Sequence, residues 1–147
     1  MTELMQRRRA LMGVQGAEWS LVFDKNKIIN WNLNRNAPNY GYESSLRASY
    51  HGLDFMTESG YTYTVTLEEA DGKTPMIVIY KLSPTAVAQF EANETLSAWG
   101  DSGYKNSGYS FTADDGEAVW FMCKNSDNSN IAVDSLTVTF TREVSAV

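Results

Sequence analysis

YTYTVTLEE, residues 61–69, alternates strictly: Tyr61, Tyr63, Val65 and Leu67 fall on one face, and Thr62, Thr64 and Thr66 on the other. A period of two is that of a β-strand with one dry and one wet face. LTVTFT (136–141) repeats the pattern, with Leu136, Val138 and Phe140 inward. Working outward, further runs rich in β-branched and aromatic residues are WSLVF (19–23), SSLRASY (44–50), GLDFM (52–56), PMIVIYKL (75–82), GYSFT (108–112), AVWFMCK (118–124) and IAVDSLTVTFTRE (131–143). Each reads as a strand. MIVIY and VWFMC are apolar without alternation, which predicts central strands covered on both faces.

The connections carry turn chemistry. Asp71-Gly72 and Asp115-Gly116 sit between strand-like runs, and KNSDNSN (124–130) is a polar loop before the last strand. SPTAVAQFEANETL (83–96) is the one body segment with the character of a helical turn. Strands this numerous predict an all-β fold, an antiparallel β-sandwich of the jelly-roll kind with about eight strands, over residues 17–147.

The remaining chain, residues 1–16, opens MTELMQRRRALMGVQG. Thr2 suits an N-cap, Glu3 complements the first turn, and Gly13 is placed to end a helix. Leu4, Met5, Arg8, Leu11 and Met12 repeat at helical spacing and form one stripe. A helix this short needs a surface to dock on. That surface is either the protein's own sandwich or a neighbouring subunit, whose carboxylates Arg7, Arg8 and Arg9 would pair with. The arginines are followed by no apolar h-region, so an export signal is not expected.

Charge sharpens the division. The chain carries −6 overall, yet residues 1–13 carry +2, leaving −8 on residues 14–147. A body so negative is not expected to bind nucleic acid or an anionic membrane as its main partner. No apolar run approaches the roughly 20 residues of a membrane-spanning helix, so no membrane insertion is expected. The single cysteine, Cys123, excludes an intrachain disulfide.

Catalytic constellations are sparse. His51 and Cys123 are single, no serine lies in a GxSxG elbow, and there is no glycine-rich phosphate loop or HExxH pattern. Glu68-Glu69 and Asp114-Asp115 are adjacent acids beside turns, which read as solvated strand ends rather than as a pair separated across a cleft. No catalytic residue is assigned, and no enzyme is expected.

Aromatic rings among polar residues stand out instead. WNLNRNAPNYGYESSLRASYHG (31–52) places Trp31, Tyr40 and Tyr42 among asparagines with Arg35 and Arg47, and AWGDSGYKNSGY (98–109) places Trp99 and Tyr104 beside Asp101 and Asn106. Flat apolar rings flanked by amides and carboxylates match the C–H faces and hydroxyls of sugars. They equally match protein-binding loops.

Two resemblances join these residues. RRRALMG resembles a short leader that opens structural proteins of phages and prophages of gut Firmicutes, ahead of β-rich or lectin-like domains. The remainder, ending GYSFTADDGEAVWFMCKNSDNSNIAVDSLTVTF, is similar to carbohydrate-binding modules of the galactose-binding-like jelly-roll fold. That resemblance implies a structural calcium held by the closing-strand aspartate, which here is Asp134, with Glu18 or Asp24 from the opening segment. The opening departs from that family's Asn-rich, Phe-Glu start, and calcium takes six to eight oxygens. A capped strand start with no metal, and thus no cofactor, is the alternative.

Together these readings predict a non-enzymatic virion protein, a tail, fibre or head-decoration component assembled in the cytoplasm of a host bacterium. Its expected partners are other virion proteins, further copies of itself through Leu4, Met5, Arg7, Arg8, Arg9, Leu11 and Met12, and a cell-surface glycan held by Trp31, Tyr40, Tyr42, Trp99 and Tyr104. The alternative is a structural decoration or connector subunit with no glycan ligand.

Overall fold

In a computed structural model of the protein, residues 19–23, 29–31 and 44–145 are described, with side chains at 19–23 and 47–145. The predicted helix in residues 1–16 lies outside the described residues. In chain order the elements are β1 (Ser20–Val22), β2 (Ile29–Trp31), β3 (Ser44–Tyr50), β4 (Tyr61–Glu69), β5 (Pro75–Leu82), α1 (Pro84–Glu91), β6 (Trp99–Asn106), β7 (Tyr109–Thr112), β8 (Ala118–Asn125) and β9 (Leu136–Val144).

The strands form two antiparallel sheets, one of four in the order β1-β9-β4-β7 and one of five in the order β2-β3-β8-β5-β6. The pairs β1·β9, β3·β8, β4·β7 and β5·β6 are nested, as in one long hairpin folded over on itself. That nesting defines a jelly roll. β6 passes from one sheet to β7 in the other through Ser107 and Gly108 alone. Gly108 takes φ +95° there, and its N–H donates to Val65 O at 2.8 Å, while the Leu67 N–H donates to Ser107 Oγ at 2.8 Å. The positive φ is available to glycine without steric cost, so a two-residue corner is enough.

Between the sheets the inward residues of β4, β5, β8 and β9 meet. Tyr63, Val65, Ile77, Val119, Phe121, Leu136, Val138 and Phe140 are buried in one cluster with Phe23 and Phe55. Ring centroids lie 5.0 Å apart for Phe23 and Phe121 and 4.8 Å apart for Phe55 and Phe140, in edge-on packing. The threonine face of β4 looks outward, as its alternation predicts.

A second cluster covers part of the outer face of the five-stranded sheet. Ser83 caps α1 by accepting the Ala86 N–H at 3.2 Å, Pro84 begins the helix, and Ala86, Val87 and Phe90 pack over Leu82 and Trp120. β5 and β8 are therefore covered on both sides, which explains their unbroken apolar runs.

Three strand assignments change. GLDFM (52–56) is a bent segment with only a Met56–Ala118 bridge. Trp120 Nε1 donates to Gly52 O and the Asp54 N–H donates to Tyr50 Oη, and these bonds replace a ladder. Conversely, the polar stretch around residues 99–106, which is not among the expected strands, is edge strand β6, and Trp31 lies on edge strand β2, likewise outside the expected runs. Their Gly, Ser, Asp and Asn content hides them, because an edge strand is held by backbone pairing to one neighbour rather than by an apolar face.

Candidate functional site on the outer face of the five-stranded sheet

Strand register decides which of the predicted site residues meet. Trp99 is opposite Leu82 and Tyr104 opposite Val78, so both point to the outer face of the sheet. They stand about 13 Å apart along β6 at the usual strand rise. Trp99 is 36% exposed and packs edge-on against Tyr80, with centroids 5.8 Å apart. Trp31 pairs with Ser44 on the opposite edge strand, about 19 Å across a five-stranded sheet. Tyr40, Tyr42 and the assembly residues Leu4, Met5, Arg7, Arg8, Arg9, Leu11 and Met12 lie outside the described residues.

A bulge shapes the exposed edge. Register shifts between Val78 and Tyr80, where Gly103 takes φ +69°. The Gly103 N–H donates to Asp101 Oδ1 at 2.9 Å, and the Ile79 N–H donates to Ser102 Oγ at 3.0 Å. Ser102 Oγ in turn donates to Gly103 O at 2.6 Å. The extra residue keeps Trp99 and Tyr104 on one face despite their odd separation and breaks the flat edge that would recruit another strand.

Beside Tyr104 the sheet brings two cations together. Arg47 of β3 is directly opposite Lys124 of β8. The Lys124 ammonium sits 4.8 Å from the centroid of the Tyr104 ring and the Arg47 guanidinium 5.8 Å. Both distances are within the range of cation–π attraction. Lys124 Nζ also donates to Asn128 Oδ1 at 3.2 Å. Burial raises the Tyr104 hydroxyl above its ordinary range, and the Arg47 charge opposes that rise. Met122 and Val78, both nearly buried, form the apolar floor. Sequence reading could not place Lys124 here, since only the β3–β8 and β5–β8 registers carry it to Tyr104.

The remaining chemistry disperses. Cys123 points into the inter-sheet core, where burial pushes its thiol far up, whereas His51 packs on Trp120 at the other face, with centroids 4.8 Å apart. The two therefore do not form a nucleophilic pair. Burial lowers His51 to about 4. Asp114, Asp115 and Glu68 are exposed, as expected of solvated acids. Glu69 is not: it continues the inward stripe of Tyr63, Val65 and Leu67 and is buried. The alternation itself carried that signal, and adjacency to Glu68 masked it.

Asp134 is exposed at the 3₁₀ turn Val133–Ser135 that precedes β9, and Glu18 and Asp24 lie outside the described residues. Among the described residues no group of three or more His, Cys, Asp or Glu side chains is placed to hold a metal, so Asp134 is given no calcium-ligand set there. No helix among them is long and apolar enough to cross a membrane.

Fold and face define a jelly-roll β-sandwich with an aromatic, cationic patch at one edge of its larger sheet. The chain matches no protein-family model, no curated protein and no solved structure.

Proposed function

We propose that the chain is a non-enzymatic phage virion component, a tail, fibre or head-decoration subunit, whose jelly roll binds a host-surface glycan on the outer face of its five-stranded sheet. The observation that carries this reading is the placement of Trp99 and Tyr104 on one face of one edge strand, with Asp101, Asn106 and Lys124 around them. An exposed indole with polar neighbours offers a sugar both a stacking surface and hydrogen-bond partners. The phage context rests on the RRRALMG leader and its charge contrast with the body. Weak single-site affinity would be raised by display in many copies. The test is a glycan array probed with the full chain and with Trp99→Ala: selective loss of glycan signal in a folded variant supports the reading, and no glycan signal from the full chain opposes it.

The seating of Lys124 and Arg47 on the Tyr104 ring favours a second reading, a structural decoration or connector subunit without a glycan. A ring face already engaged by cations is less available to a sugar. In that case the leader arginines, rather than Trp99, would control assembly.

A further inference from the structure

Two cations of an acidic protein are set side by side on the outer face of the five-stranded sheet. The registers of β3, β8, β5 and β6 align Arg47, Lys124, Met76 and Asn106 in one row, and Tyr104 stands in the next, opposite Val78. The Tyr104 ring crosses β5 to reach both cations: the Lys124 ammonium and the Arg47 guanidinium lie 4.8 and 5.8 Å from its centroid. Both charged heads thus converge on one point. Arg47, Lys124 and Tyr104 are each half-buried, so solvent reaches them.

Like charges directly opposite on neighbouring strands repel and destabilise the pair. In so acidic a body a carboxylate could offset them, yet among the described residues none pairs with Lys124. Its one hydrogen bond there is to the neutral Asn128 Oδ1 at 3.2 Å. Lys73 and Arg142, by contrast, have acids beside them, Asp127 at 3.8 Å and Glu58 at 3.9 Å. A tyrosine ring attracts a cation through its quadrupole without neutralising it. The ring therefore gathers positive charge at one spot and leaves that of Lys124 unneutralised.

We propose that Lys124 and Arg47 form an anion subsite, and that the ligand of this face is an acidic oligosaccharide whose carboxylate-, sulfate- or phosphate-bearing unit lies over the two cations while a neutral ring stacks on Trp99. The inference rests on the glycan reading and names the class of glycan. One anionic group answers both the repulsion between the cations and the unpaired ammonium, through charge-assisted hydrogen bonds. Tyr104 then positions the cations, and stacking falls to Trp99. The two ends are about 13 Å apart along β6, more than one sugar ring spans, so the ligand is an oligosaccharide. Its polarity follows from Asp101, which faces outward opposite Tyr80 near Trp99 and disfavours a second negative charge at that end while accepting hydroxyls.

The test is an array of neutral, uronic-acid, sialylated, sulfated and phosphorylated oligosaccharides probed with the full chain, followed by calorimetric titration of the strongest binder. Anionic members are expected to bind above their neutral counterparts, and the class that binds best identifies the charged group. Lys124→Gln should weaken the acidic binder about fivefold, the weight of one half-exposed ion pair, and Lys124→Arg, which keeps the charge, should restore it. Lys73→Gln, at a cation away from this face, should change nothing. For the parent chain, affinity should fall as NaCl rises from about 50 to about 500 mM, because screening shortens the reach of charge. Equal binding of acidic and neutral counterparts, an affinity indifferent to salt, or an undiminished preference for acid in a folded Lys124→Gln overturns the inference and leaves the glycan reading standing. An array on which the full chain binds nothing overturns both.

Discussion

The indole Nε1 of Trp120 donates to the carbonyl of Gly52 at 2.6 Å, joining the centre of β8 to the bend that follows β3. That bend is tight because a Cβ at Gly52 would meet Tyr50 Cζ at 2.8 Å. Tyr50 cannot yield easily, since it is buried, stacked on Phe121, and bonded through its hydroxyl to the Asp54 N–H at 3.2 Å. Gly52→Ala is therefore expected to cost roughly 1–3 kcal/mol, the usual range for forcing extra volume into a packed site. The check is urea unfolding, in which the midpoint falls at unchanged slope.

His51 supplies a pH dependence. Its folded pKa of about 4 lies below the ordinary 6.5 because burial disfavours the imidazolium. Between those values the unfolded chain binds the extra proton, so stability is full above about 6.5 and declines as pH falls toward 4. The total loss is on the order of 3 kcal/mol at one pKa unit per 1.36 kcal/mol. His51→Gln should flatten this slope in stability measured from pH 7 to 4.

Glu69 works in the opposite direction. Burial, then the nearby Asp71 charge, raise its carboxyl above 4.5. The folded state there holds the proton longer than the unfolded one, so stability declines as pH rises from about 4.5 through the raised folded value. At pH 7, Glu69→Gln is expected to be at least as stable as the parent chain by calorimetry. A clear loss of stability would show that the charge has a partner.

The bulge in β6 can be tested against its own strand. Gly103 takes φ +69°, where a side chain is strained, whereas Gly100 lies in ordinary backbone with open space around it. Gly103→Ala should cost about 1–2 kcal/mol, and Gly100→Ala close to nothing, in paired thermal melts.

Trp99 packs edge-on against Tyr80 and is 36% exposed, so Trp99→Ala should lower stability by the roughly 0.5–1.5 kcal/mol of that aromatic pair together with the transfer cost of its covered area, without unfolding the sandwich. Under the glycan reading it should remove sugar binding at the same time. Lys124→Ala separates the readings further: it frees one side of the Tyr104 ring, which should strengthen stacking of a neutral sugar and weaken binding of an acidic one.

Deleting residues 1–13 should leave a folded sandwich, because a complete nested set of strand pairs lies within residues 20–144. Light scattering of the full chain beside a chain beginning at Val14 then reads the leader directly. A defined oligomer that becomes a monomer on truncation identifies it as the assembly element, whereas equal masses remove that role in self-association.

Sequence alone determined the strands that have an inside and an outside. YTYTVTLEE and LTVTFT lie in β4 and β9, where period-two alternation meets one dry and one wet face, and PMIVIYKL and AVWFMCK lie in the doubly covered β5 and β8. The jelly roll followed from their number and spacing. Tertiary structure alone decided what backbone pairing and register control. β6 is a strand because β5 offers it a ladder, not because WGDSGYKN prefers one. Arg47 and Lys124 meet over Tyr104 only because three non-consecutive strands align there. Local sequence sets which way a side chain points along its own strand; which residue it then meets is set by contacts distant in the chain, and no short stretch encodes them.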